Sequence, residues 1–539
     1  MGYDTEASGK TYALTCDAGT TAMKGALVRV DGAVVASASE QLDLIIDGDH
    51  REQDPRQWWR AFLAVTQRML AEAGETEPNF SASAIAGVIF SGQMQDLIAL
   101  DDDLEPVRDA ILYSDGRAAE QAATLAQALG KMADGRSGGD ESEDAWYAMA
   151  CGDAHIDDDG CARGERRFLG IVGNRLEGGI PLPKLMWLRE HEPETFSRMR
   201  HVLISSKDYL IARLTGECVG DVAACSTAGA MDIRTHRWSG ELLGAAGIDA
   251  ALLPALHSPQ EHVGIVHAAA AAATGLAEGT PVFAGFGDAG ATTFAAGVTG
   301  AGQFNINLGT SGWIATVSPE PFVDKPGAAN LAFGLNAGFV NAVPFLNAGD
   351  VHKWVTGVFA GDATVPSNAP AAQLDYATMH RLLVSSKPGS NGVLCLPYLV
   401  GERFPVMNPA IRGAYVGISP TTTRADLARA ALEGVAFSIR QGMESFETEP
   451  TEITLIGGGA REHVWCQIMA DVLGHPVEAF RNADIMPSIA LASLVFDDPN
   501  LPASCRNTVR YTPDPQAVAV YDKAYARFLR LYPAINGLA

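Results

Sequence analysis

Residues 285–290 read GFGDAG, after the apolar run Pro281 to Ala284 and before the small-residue run Ala291 to Val298. This is the pattern of strand, turn and helix. The glycines also fit G-x-G-x-x-G, the dinucleotide fingerprint, which would make the fold a Rossmann domain. That reading needs an acidic residue about twenty positions on to hold a ribose. The region there is FNINLGTSG (304–312), with Asn305 and Asn307 and no acid. The sequence therefore speaks against a nicotinamide oxidoreductase and leaves Asp288 to be explained. A carboxylate at a strand end can face a cleft and accept a proton, or cap a helix beginning near Ala289. The local residues favour the cap.

Outward from this stretch, one theme occurs twice. Near the start, Thr11 to Thr15 is strand-like, Asp17-Ala18-Gly19-Thr20-Thr21 turns, and Met23 to Val30 runs back. Gln303 to Leu308 alternates like a strand, Gly309-Thr310-Ser311-Gly312 turns, and Trp313 to Val317 returns. A glycine hairpin in each half suggests a duplication, with each turn suited to phosphate: glycine lets the backbone approach, hydroxyls donate, and Asp17 can hold a metal-bound water. Lys24 adds a point charge. The alternative is a hairpin whose Asp and Thr satisfy their own turn; the echo in the second half favours phosphate. Gly457-Gly458-Gly459, between strand Ile453 to Ile456 and helix Val464 to Leu473, offers a third flat backbone surface, suited to an adenosine and α-phosphate. No Walker A sequence is present, so a nucleotide site here is not a P-loop.

The chain of 539 residues, 47% hydrophobic and 19% charged, exceeds what one core supports. Its glycine content and alternating strand and helix patterns indicate an α/β fold. Trp58 to Ala73 reads as an amphipathic helix and Ile85 to Phe90 as a buried strand. A boundary is expected at 279/280, giving domains 1–279 and 280–539. An acidic, glycine-rich insertion is expected at about 134–165. The formal charge of −25 repels nucleic acid, so an anion site must be built from glycine loops. The eight Cys lack zinc spacing and are expected reduced. No signal peptide or membrane span is apparent; a cytoplasmic location is expected, and a homodimer is left open.

The motif series DAGTTAMK (17–24), EQDPRQWW (52–59), SGQMQ (91–95), AILYSDGRAAE (110–120), VGN (172–174), PKLMWL (183–188), SKDYLIARLTGE (206–217), GFGDAG, LGTSG (308–312), LPYLVGERFPVMNPAIRGAYVGI (396–418), ALEGVAFSI (431–439) and TLIGGGAR (454–461) resembles the FGGY family of carbohydrate kinases. It is most similar to the xylulose kinases. The resemblance implies two actin-like (ribonuclease H-like) α/β domains of the actin–hexokinase–Hsp70 superfamily with a cleft between them. It also implies ATP and Mg²⁺ as cosubstrates, and phosphorylation of a sugar hydroxyl, with D-xylulose to D-xylulose 5-phosphate the leading instance. Asp288 is then the general base, Asp17 organises the metal–phosphate unit through water, and Gly19, Thr20, Thr21, Gly309, Thr310 and Ser311 hold phosphates. Gly457 to Arg461 belongs to the nucleotide site.

Two positions depart from the xylulose kinase pattern. Gln95 stands where His follows G-Q-M, and Ala289 stands where Asn follows the catalytic Asp. Both changes alter hydrogen bonding, which can switch substrate. Met94, Gln95 and Asp96 remain the leading sugar contacts, with Asp115 and Asn174 weaker candidates. A kinase for another ketose, a polyol or a sugar acid is the alternative within the family; a non-catalytic sensor of sugar and nucleotide is the alternative outside catalysis. In MPSIALASLVF (486–496), Ala490 and Ala492 stand where nucleotide-facing glycines are expected.

Overall fold

The computed structural model describes residues 10–134, 160–323, 327–361 and 373–538. The first sheet is opened by β1 (Tyr12–Ala18), β2 (Ala22–Arg29) and β3 (Val34–Gln41), an antiparallel meander. It continues through β4 (Ile85–Gly92), β5 (His262–Ile265), β6 (Pro281–Phe283) and the short β7 (Phe286–Gly287). The strand order is β5-β6-β4-β1-β2-β3, with β7 also on β4. The second sheet uses β8 (Gln303–Leu308), β9 (Gly312–Ser318), β10 (Ala329–Ala332), β11 (Phe339–Phe345), β12 (Glu452–Ile456), β13 (Val477–Phe480) and β14 (Thr508–Tyr511), in the order β10-β11-β9-β8-β12-β13-β14.

The two sheets match strand for strand. In each, the hairpin strand (β1 or β8) pairs antiparallel with its return strand and parallel with a later strand (β4 or β12). A further parallel strand (β6 or β13) and an antiparallel edge (β5 or β14) follow. Two strands lack a counterpart: β7 in the first sheet and β10 in the second. The repeat inferred from two short turns is thus a repeat of whole sheets.

Local chemistry explains the elements. β1 is buried along nearly its whole length, as a parallel-paired central strand covered on both faces must be. Helix α1 (Pro55–Thr76) starts where Asp54 accepts from the backbone N–H of Arg56 and Pro55 presets the first turn. It turns Phe62, Val65 and Met69 onto the sheet. Three further helices serve the site from the first half: α2 (Ser206–Thr215), α3 (Val222–Cys225) and α4 (Asp288–Ala295). In the second half, α5 (Arg424–Glu444) and α6 (His463–Leu473) line the core, while α7 (Met486–Phe496) crosses back to the first sheet.

Several expectations are corrected. The run at 281–284 does not open the second domain: β6 and β7 pair with β4, so the first sheet closes only at Gly287. Parallel pairing across nearly 200 residues is a nonlocal decision that a local pattern does not reveal. Ala490 and Ala492 are fully buried in the seam between α7 and the first sheet, so their methyl groups pack rather than face a nucleotide. Of the acidic insertion, residues 135–159 lie outside the described residues, while 160–165 open a helix, Gly160–Val172, instead of a loop. Cys16, Cys218, Cys225, Cys395, Cys466 and Cys505 are in no disulfide, and among the described residues no helix is long and apolar enough to cross a membrane.

Candidate active site

In register across three parallel strand ends, Asp17 of β1 faces Ser91 of β4, and Ser91 faces Phe286 of β7. Ser91 Oγ donates to Asp17 Oδ1 at 2.8 Å. Between the pairs Val282–Val88 and Phe286–Ser91 the later strand carries one more residue than β4, a β-bulge. Gly285 sits in it at φ +69°, and a Cβ there would lie 2.1 Å from the Phe90 carbonyl oxygen. The bulge turns the chain outward so that Asp288 is the first residue of α4. A Cβ on Gly287 would meet Met94 Sδ at 2.1 Å, so that glycine admits the SGQMQ loop. The glycines of GFGDAG thus serve strand packing and aim. Among the described residues, Asp288 Oδ1 accepts only from the N–H of its neighbour Ala289, at 2.7 Å, and α4 is capped at Gly287 without a side-chain bond.

Asp17 and Asp288 open into one cavity of about 780 Å³, whose walls also carry Lys24, Ser91, Gly457 and Arg461. Burial pushes the Asp288 carboxyl up to about 7, helped by the Asp17 charge and opposed by the Ala289 N–H. Asp288 meets water through the cavity, so its desolvation comes from the protein on its other sides. Burial also raises Asp17, against the Ser91 bond and the Lys24 charge. Two nearby carboxylates with separated environments are a common acid–base arrangement.

The second hairpin meets this cavity's wall at Gly457. Gly457, at φ +89°, approaches so closely that a Cβ would stand 2.8 Å from Gly309 N. On the other side, Gly349 N donates to Gly309 O at 2.6 Å. A further cavity of about 630 Å³ is bounded by Gly309, Thr310, His352 and Gly459. Gly458 and Arg461 line both cavities, so the cavity of the two carboxylates adjoins that of the second glycine hairpin.

Not every candidate converges there. Thr20 Oγ1 donates to Gln93 Oε1 at 2.5 Å, and Thr21 is exposed beside it. Met94 and Gln95 are half-buried behind Gly287, with Gln95 at φ +63°. Asp96 is fully buried, with Gln93, the Tyr113 N–H and Lys184 beside its carboxylate but no well-aligned hydrogen bond to it among the described residues. Burial drives its carboxyl well up, against Lys184, with the Asp288 charge raising it further. Asp115 is also buried and spent: it accepts from Arg51 N at 2.7 Å and from Arg117 Nη2 at 2.7 Å. Asn174 bridges to β10, accepting from Asn330 N at 2.8 Å and donating to Asn330 O at 2.7 Å. Arg481, also on the cavity wall, was given no role from the sequence; it follows β13 in a segment without a motif.

This pair of repeated domains, with carboxylates between two glycine hairpins, belongs to the FGGY family of carbohydrate kinases. The family's N-terminal domain matches residues 12–135 and 162–295, and its C-terminal domain matches residues 304–486. The protein is an ATP-dependent sugar kinase with a two-domain α/β fold of the actin-like class. Its relatives include the xylulose kinase of Escherichia coli (strain K12), 31% identical over 96% of this chain and 97% of that one. The crystal structure of xylulose kinase from Rhodospirillum rubrum superposes with a TM-score of 0.80 at 28% identity, covering 98% of this chain and 99% of the other. The gluconokinase of Bacillus subtilis (strain 168) is 27% identical over 86% of this chain and 83% of its own.

Proposed function

We propose that the protein transfers the γ-phosphoryl group of ATP to the primary hydroxyl of D-xylulose, giving D-xylulose 5-phosphate. The observation that carries this reading is the placement of Asp17 and Asp288 on either side of Ser91, in one cavity that adjoins the pocket of the second glycine hairpin. Asp288 accepts the proton of the attacking hydroxyl as the oxygen bonds to phosphorus. The N–H groups around Gly19 to Thr21, and the hydroxyls and N–H groups of Gly309 to Ser311, orient the phosphates. Gly457 to Gly459 support the adenosine side, and Arg461 sits where the two cavities meet. Closure of the domains would exclude water and limit hydrolysis of ATP.

A magnesium ion fits these residues. Among the described residues no group of three His, Cys, Asp or Glu converges on one point, but Mg²⁺ usually keeps several waters and takes one or two carboxylates plus substrate phosphates. Asp17 would hold it through water. When bound, it would supply charge neutralisation at the phosphates.

The sugar end is acidic. Asp17, Asp96 and Asp288 lie close enough to influence one another in the pairs Asp17–Asp288 and Asp96–Asp288. Of the buried cations nearby, Lys184 donates to the carbonyls of Gln95 and Leu112, and Lys207 is taken by Asp208 and Asp221. This favours a neutral sugar over an aldonate. ADP release with D-xylulose, other ketoses, polyols and gluconate is the test. D-Xylulose is expected to give the highest kcat/KM; faster turnover of gluconate would reassign the substrate, and no ADP release with any sugar would favour a sensor.

The raised carboxyl gives a second prediction. The base must be ionised, so kcat/KM for the sugar is expected to fall as pH drops through about 7. Asp17→Asn removes the neighbouring negative charge and should move this acid limb to lower pH while lowering kcat. An unchanged limb would separate it from Asp288.

A further inference from the structure

The segment Ser205–Asp208, within the SSKDYL stretch, lies outside both cavities and is fully buried. It grips the ends of the three strands that carry the site. Ser206 Oγ donates to Ala18 O, next to Asp17, at 2.6 Å. Ser205 Oγ donates to Gln93 O, at the head of the Met94–Gln95 loop, at 2.7 Å. Lys207 Nζ donates to Ala284 O at 3.0 Å, the carbonyl immediately before the Gly285 bulge. The other two ammonium protons of Lys207 face Asp208 Oδ1 at 2.5 Å and Asp221 Oδ2 at 2.8 Å. Two of these contacts are aligned hydrogen bonds, to Ala284 O and Asp208 Oδ1, and Asp221 is held as an ion pair outside hydrogen-bond alignment.

The acceptors are themselves anchored. Asp208 Oδ2 closes the capping box of α2 by accepting from Ser205 N. Asp221 Oδ1 accepts from Ala223 N and Ala224 N, both at 3.0 Å, starting α3. That short helix packs on the GFGDAG turn: a Cβ on Gly287 would come 3.4 Å from Ala224 Cβ, and one on Gly290 would come 3.7 Å from Ala223 Cβ. Lys207 therefore holds the bulge from one side and, through Asp221, the helix that backs it from the other. A charge buried this deeply is retained only with full pairing, and the pairing falls on the backbone that aims Asp288.

We infer that Lys207 is a positioning residue for phosphoryl transfer, fixing the Gly285 bulge and hence the aim of Asp288 at the sugar hydroxyl. This rests on the reading of Asp288 as general base. A misplacement of about 1 Å can cost about a hundredfold in rate while leaving ground-state binding intact. The signature is therefore in kcat rather than KM.

The test compares Lys207→Met with Asp288→Asn, using D-xylulose and ATP, with rates expressed per nucleotide-binding site counted by calorimetric titration. Lys207→Met is expected to lower kcat at least tenfold, with both KM values within threefold of the parent. Breaking a buried ion pair is strongly destabilising, so Asp221→Asn is made alongside it. Asn can still cap α3 but no longer carries the charge facing Lys207. Its kcat should fall threefold or more, with KM again unmoved, and the same split is read on it if Lys207→Met does not fold. Parental kcat per site in a folded variant, or KM rising in step with the loss, would overturn the positioning role. Full activity of Asp288→Asn would instead remove the general base, and so fails separately.

Discussion

Asp288→Asn is expected to lower kcat by about 10²–10⁴-fold, the usual contribution of a positioned general base, with KM for ATP little changed. Asn is nearly isosteric, and its side-chain carbonyl can still accept from Ala289 N–H, as Asp288 does. What is lost is the capacity to take a proton. The same substitution is expected to stabilise the fold at alkaline pH. The Asp288 carboxyl rises from 3.8 to about 7 on folding, so between these values the folded chain holds a proton that the unfolded chain releases. Stability therefore falls as pH rises through that window, and the charged form is the costly one above it. The Tm of Asp288→Asn should exceed that of the parent at pH 8 and converge with it towards pH 4. Steady-state ADP release and thermal unfolding at the two pH values check both halves. Turnover within tenfold of the parent would remove Asp288 from the proton transfer.

The part of this site written in short-range pattern was legible. DAGTT and LGTSG are turns between alternating strands, and each does join β1 to β2 and β8 to β9. The amphipathic helix at 58–73 lies within α1 because its apolar spacing and its Asp54-Pro55 start are both local. What failed to read correctly depends on distant partners. The run at 281–284 has the composition of a buried strand wherever it falls, and only β4 decides which sheet receives it. Ala490 and Ala492 look like methyl groups set where a nucleotide-facing glycine is expected until α7 is seen to close over β1 and β4. Asp115 and Asn174 carry ligand-like side chains, but Arg117 and Asn330, with Arg51 N, occupy their hydrogen-bonding atoms. The resemblance to a family supplied roles that no spacing could, because Asp288 in isolation is as good a helix-start residue as a base.

Gly285→Ala is expected to be the most disruptive single methyl group near the site, and a paired substitution shows why. Gly285 and Gly216 both lie at left-handed φ, +69° and +82°. Gly216 ends α2, and a Cβ there would find no atom within 4 Å. Gly216→Ala therefore pays the left-handed backbone penalty alone, roughly 1 kcal/mol. At Gly285 the same penalty applies, and the added Cβ would also fall 2.1 Å from Phe90 O, a backbone atom of the central strand β4. Neither the bulge nor β4 yields easily, because Ala284 O is held by Lys207 and β4 pairs with strands on both sides. Overpacking of this kind costs roughly a further 1–3 kcal/mol, so Gly285→Ala should unfold well below Gly216→Ala in denaturant. It should also lose turnover more than tenfold where it remains folded, since the bulge sets the first turn of α4. Gly216→Ala should keep parental kcat. If the two variants proved equally stable and equally active, the bulge would be an incidental turn and the aim of Asp288 would have to come from elsewhere.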